Sequence, residues 1–123
     1  MFSLSPSQRY YFYRQATDMR KSFNGLSGLV RSALGNDPLS GDVFIFLNRR
    51  RDKIKLLLWD RTGFLIFYKS LERGTFELPA FAPDAVSCVL SWDKLLLILE
   101  GVELNSVRRR KRYRLKEKSK MEP

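Results

Sequence analysis

Three groups of cations stand where the chain could meet a polyanion. Arg49, Arg50 and Arg51, with Lys53, interrupt the apolar stretch FLNRRRDKIKLLLW; Arg20 and Lys21 lie in TDMRKSF. The third group is Arg108, Arg109, Arg110, Lys111, Arg112, Arg114, Lys116, Lys118 and Lys120 near the C-terminus. Guanidinium and ammonium groups at this density recognise phosphates by charge-assisted hydrogen bonds, with DNA or RNA the usual polyanion and an anionic membrane surface the second. Other chemistry is scarce. Histidine is absent, which removes the commonest general base and metal ligand. Cys88 alone builds neither a zinc site nor an internal disulfide, and no glycine-rich phosphate loop occurs. Asp42 and Asp60 are expected at one end of the sheet derived below and Asp52 and Glu72 at the other, so they share no metal. No catalytic residue, metal or cofactor is expected, and the chain reads as a binder.

The charge is unevenly spread. Residues 108–123 hold nine Lys/Arg and two Glu, a net +7 of the chain's +10, so the first 107 residues carry only +3. A basic arm of this kind repels itself until a polyanion neutralises it. The expected organisation is one α+β domain over residues 1–104 and a disordered basic tail over 105–123. At 123 residues and 44% hydrophobic composition, one core is the natural outcome. The N-terminus lacks a signal-peptide pattern, and the longest aliphatic run, Leu95 to Leu99, is far below the roughly 20 residues that cross a bilayer. The reading is a soluble, cytoplasmic protein without a membrane partner.

The elements that must position these cations follow from periodicity. Arg9–Gln15 reads as a short strand. Thr17 or Asp18 then caps a long helix with Met19, Phe23, Leu26, Val30 and Ala33/Leu34 on one face, ended by Gly35. Gly25 and Gly28 within it imply close packing. Three strands follow, Val43–Asn48, Lys53–Trp59 and Phe64–Ser70, joined by the arginine loop and by the turn Asp60–Gly63, and short loops make them an antiparallel meander. ERGTFELPAFAP is loop-like, Ala85–Leu90 is a further strand, and Ser91 caps a short helix, Trp92–Glu100. The fold class is therefore α+β: an antiparallel meander of three to five strands with one long and one short helix.

With Arg50–Arg51 as the tip, Ile45 faces Leu56 and Phe46 faces Lys55; with a bulge at Gly63, Leu56 faces Tyr68 and Lys55 faces Lys69. One face, Val43, Ile45, Leu47, Ile54, Leu56, Leu58, Ile66 and Tyr68, is core. The other carries Phe44, Phe46, Lys55, Leu57, Trp59, Leu65, Phe67 and Lys69. It is either a stacking platform for bases or a surface covered by the second helix or a partner subunit. A long helix folded back over the first meander strand brings Arg20 and Lys21 to the arginine loop, together with Lys53 and Arg73. Cations in a helix's first turn oppose the macrodipole. Either a bound phosphate or Asp18 relieves that conflict, just as the arginine triplet is either a grip or a solvated tip.

The blocks MRKSF, NRRRD, WDRTGF and LERG, in this order and spacing across about residues 10–104, resemble the TnpB accessory-protein family encoded by the second reading frame of the IS66 class of bacterial insertion sequences. The resemblance implies a protein needed for efficient transposition beside a separate transposase, with that transposase and DNA as partners and no family catalytic residues to carry over. The expected function is a non-catalytic accessory protein that grips DNA phosphates. The alternative is an adaptor docking on the transposase through the aromatic face.

Overall fold

Strands form where aromatic and branched apolar residues concentrate, and three of the five stop before a turn-forming residue, Asn48, Asp60 or Ser91. The computed structural model describes residues 4–101. Its elements are β1 (Tyr10–Tyr13), α1 (Phe23–Leu29, continued as a π-helical segment over Val30–Leu34), β2 (Val43–Leu47), β3 (Lys53–Trp59), β4 (Phe64–Ser70), β5 (Ser87–Leu90) and α2 (Trp92–Leu99). The expected tail, and the boundary placed at residue 104, lie outside the described residues.

The sheet has five strands in the order β4-β3-β2-β1-β5. The meander β2-β3-β4 is antiparallel, as is β1 with β5, but β1 runs parallel to β2, so the sheet is mixed. Parallel neighbours need a long crossover, and α1 supplies it. Both strands consequently point their C-terminal ends the same way.

The β2–β3 register pairs Ile45 with Leu56 and Phe46 with Lys55, as expected. The β3–β4 register differs by one residue: Lys55 pairs with Tyr68 and Leu56 with Phe67. The reason lies in the turn. Arg61, not Gly63, adopts the positive φ, at 74°, and the Asp60 N–H donates to the Gly63 carbonyl at 3.0 Å. No bulge adds a residue, and a one-residue difference exchanges the two faces of β4. Ile66 and Tyr68 therefore join the Phe44 face, while Phe67 and Lys69 move to the opposite one.

Each face is covered by a helix. On one, Tyr10, Phe12, Val43, Ile45, Leu56 and Phe76 pack with Leu95 and Ile98 of α2; on the other, Tyr13, Phe44, Phe46 and Leu57 pack with Leu26 and Val30 of α1. Phe44, Phe46 and Leu57 are wholly buried and Lys55 nearly so. Trp59 is half-buried, its ring 5.0 Å from that of Phe64. The proposed partner face is thus divided: Phe44, Phe46, Lys55 and Leu57 are interior on the side covered by the first helix, while Phe67 and Lys69 lie on the opposite face. Fully burying side chains of this size contributes about 1.5–3 kcal/mol each.

α1 begins later than periodicity suggests, with Ser22 as its N-cap. Asp18 instead makes a turn of its own: its Oδ1 accepts the Arg20 N–H at 2.9 Å, and its carbonyl accepts the Lys21 N–H at 3.1 Å. Such local side-chain bonds compete with helix formation. Gly35 ends the helix at φ 69°, with the N–H groups of Gly35 and Asn36 both on the Val30 carbonyl. Close packing holds at Gly25, where a Cβ would meet the Lys21 stem at 3.1 Å, but not at Gly28, which has open space. For α2 the Ser91 hydroxyl caps the Lys94 N–H at 3.3 Å, and Lys69 Nζ donates to the Leu99 carbonyl at 2.6 Å. Lys69 therefore sits as a cation at a helix C-terminus, where dipole and orphan carbonyl both favour it.

Candidate nucleic-acid interface

Parallel pairing of β1 and β2 decides what stands beside the arginine loop. The Thr17 N–H donates to the Leu47 carbonyl at 2.8 Å, so the chain leaving β1 stays against the end of β2. A cleft of about 450 Å³ lies there, lined by Ala16–Met19 on one wall and by Asn48, Arg49, Arg50 and Lys53 on the other. A second cleft of about 210 Å³ involves Arg14, Gln15, Arg49, Arg51 and Leu78. Arg20 and Lys21 follow the Ala16–Met19 wall directly in the chain but do not themselves line either cleft.

The loop itself is held firmly. Asn48 Oδ1 accepts the N–H groups of Asp52 and Lys53 at 3.1 and 3.0 Å, and its Nδ2 donates to Asp52 Oδ1 at 2.6 Å. That bond, and then the charge of Lys53, hold the Asp52 carboxyl below its usual range. The Arg51 N–H donates to the Asn48 carbonyl at 3.1 Å, and the Arg51 carbonyl accepts the Phe76 N–H at 2.6 Å. Arg51 has φ 61°, a left-handed conformation that costs a non-glycine residue about 1–2 kcal/mol. Leu71 N–H donates to the Asp52 carbonyl at 2.8 Å, which brings the loop bearing Arg73 to the same end.

Charge pairing is selective. Arg20 Nη2 lies 2.7 Å from Asp18 Oδ2, and Lys53 Nζ lies 3.6 Å from Asp52. Arg49, Arg50 and Arg51 form no ion pair among the described residues. Arg20 and Lys21 precede the helix and do not stand in its first turn, and Asp18 neutralises Arg20 directly. Side-chain and backbone hydrogen bonds from Arg20 lower the Asp18 carboxyl to about 2. Because that value is depressed, the contribution of Asp18 to stability is complete above its ordinary value near 3.8 and is lost as pH falls through about 2. Thermal melts of the wild type should therefore fall more steeply between about pH 4 and 2 than those of Asp18→Asn, by a small margin because the pair is exposed.

Lys55 ties this end to the sheet. Its ammonium donates to the carbonyls of Met19 and Lys21, both at 2.8 Å, and sits 4.8 Å from the Tyr68 ring centroid. It has no carboxylate partner among the described residues. Arg14 is a basic residue that sequence reasoning missed. Its Nη1 donates to the carbonyls of Ala82 and Ala85 at 3.4 and 3.3 Å, and its guanidinium lies 5.6 Å from the Phe81 centroid. Recognising β1 and β2 as parallel neighbours would have placed it. Among the described residues no group of three or more His, Cys, Asp or Glu is arranged to hold a metal, and no helix is long and apolar enough to cross a membrane.

Comparison with known proteins places these features in a lineage. Residues 8–109 match the family model described as IS66 Orf2 like protein. Two proteins of Sinorhizobium fredii are similar along most of their lengths. Uncharacterized protein y4jC is 34% identical over 110 residues, covering 89% of this chain and 92% of its own. Uncharacterized protein y4hO is 33% identical over 87 residues, covering 71% and 74%. No solved structure matches the chain.

Proposed function

The chain belongs to the IS66 Orf2-like family of insertion-sequence accessory proteins, and from that premise we propose that it is a non-catalytic binder of DNA phosphates within the transposition machinery. The observation that carries this reading is the arginine loop: three guanidinium groups without carboxylate partners among the described residues, on a backbone pinned by Asn48 and Phe76 beside an open cleft. A preorganised loop loses little entropy on meeting a phosphate, and arginine matches phosphate oxygens in bidentate fashion. Arg49, Arg50, Arg51 and Lys53 make the principal contacts, with Arg20, Lys21 and Arg73 at the margin. The nine cations between Arg108 and Lys120 add further phosphate contacts. DNA near the element ends and the transposase are the partners, in the bacterial cytoplasm. Docking on the transposase through Phe44 and Phe46 is disfavoured, since both lie under α1.

A gel-shift series against salt tests the reading, with full-length protein and a version ending at Ser106, on element-end and unrelated DNA. Contact with about eight phosphates gives a slope of log affinity on log salt near −7. A slope near zero for the full-length protein removes DNA contact from the mechanism. A full slope lost entirely in the shortened version assigns the contact to the arm alone.

A further inference from the structure

We propose that Tyr68, with Phe23 at the start of α1 as a second exposed ring, is a stacking site for an unpaired base of a DNA strand whose phosphates lie on the arginine end; the proposal rests on the phosphate-binding reading above. Among the described residues these two are the exposed aromatic residues, at 44% for Phe23 and 49% for Tyr68. The neighbouring rings behave oppositely: Phe44 and Phe46, on the same sheet face, are wholly buried. The Tyr68 ring is held from one side, with the Lys55 ammonium 4.8 Å from its centroid. That same ammonium binds the carbonyls of Met19 and Lys21, so a single nitrogen fastens the ring and the basic turn together. Phe23 follows two residues after Lys21 as the first residue of α1, and the Lys21 stem lies over Gly25. Tyr68 pairs across the sheet with Lys55, and Ser70, two residues on, pairs with Lys53 at the foot of the arginine loop.

Site and ligand match in both charge and shape. A ring already immobilised loses little freedom when a base stacks on it, and every base offers a π-face. Lys53, two residues from Lys55 on the same strand face, suits a flanking phosphate and disfavours a purely apolar occupant. A base within an intact duplex is already stacked on both sides. The site therefore favours a frayed end, an overhang or a displaced strand over a blunt duplex.

The test uses full-length protein and labelled DNA of one sequence in three forms: blunt duplex, the duplex with a six-nucleotide overhang, and the single strand. Fluorescence anisotropy at fixed salt is expected to give about ten-fold tighter binding of the overhang form than of the blunt duplex. In Tyr68→Leu the two affinities converge; in Tyr68→Phe, which keeps the ring, the difference persists. A second measurement needs no variant: 5-iodouracil in the overhang, photo-crosslinked to the wild type, is expected to map by mass spectrometry to Tyr68 or Phe23. Equal affinities for blunt and overhang DNA, or a crosslink confined to other residues, overturns the stacking site while leaving phosphate binding intact. Failure of all three DNA forms to bind overturns both.

Discussion

Replacing Arg49, Arg50 and Arg51 together by alanine is expected to move the salt slope of DNA binding from near −7 to about −4, because each lost phosphate contact removes about 0.9 from it. At roughly 0.1 M salt the same loss weakens binding by about 10²–10³-fold. Fluorescence anisotropy over a salt series reads both numbers at once. Folding should survive, because the loop is shaped by the Asn48 side chain and by backbone bonds to Asn48 and Phe76, not by the guanidinium groups. Arg51→Gly separates function from stability more sharply. Glycine accepts φ 61° without penalty, so this variant is expected to gain up to about 1 kcal/mol of stability while losing one unit of slope. A loop that only keeps a hairpin tip hydrated would give the stability gain with no change in slope. An unchanged slope in the triple variant would therefore end the grip interpretation.

Lys55→Met is expected to cost about 2–4 kcal/mol, the largest single-residue loss in the sheet among polar side chains. Methionine retains the stem and removes the ammonium, leaving the carbonyls of Met19 and Lys21 without the donor that now sits 2.8 Å from each. Both bonds are partly buried, so each acceptor deprived of its charged donor costs towards the lower end of about 1–3 kcal/mol. The urea midpoint, at constant m-value, measures the loss. A functional consequence follows even where the variant folds. The turn bearing Arg20 and Lys21 is no longer tied to β3, so residual binding to the cleft should weaken at matched folded fraction. Lys69→Met makes a useful contrast, since Lys69 serves one carbonyl at the end of α2, on the opposite sheet face. It should cost less and leave DNA binding as it was.

The difference between those two lysines shows where sequence reading stops. Lys55 and Lys69 look alike in the pattern, each embedded in an apolar strand, and an assumed bulge at Gly63 puts them on one face. One conformational choice, the positive φ of Arg61, sets them on opposite faces. A turn of this length is compatible with more than one register, and only the packing of both faces selects between them. The start of α1 is a similar case. MRKSF fits the apolar period, yet the Asp18 side chain and the Lys55 ammonium satisfy the backbone of that stretch outside the helix.

By itself the sequence determined the strands β3 and β4 to the residue, the arginine tip and its register with β2, the caps at Ser91 and Gly35, and the family. These are decided by near neighbours: alternation, turn residues and capping groups act over a few positions. Tertiary structure alone decided that β1 lies parallel beside β2, that the aromatic face is covered by α1, and that Arg14 and the Asp18 turn flank the arginine loop. Those outcomes depend on which surfaces bury one another, and burial is shared among residues far apart in the chain, so no local pattern records it.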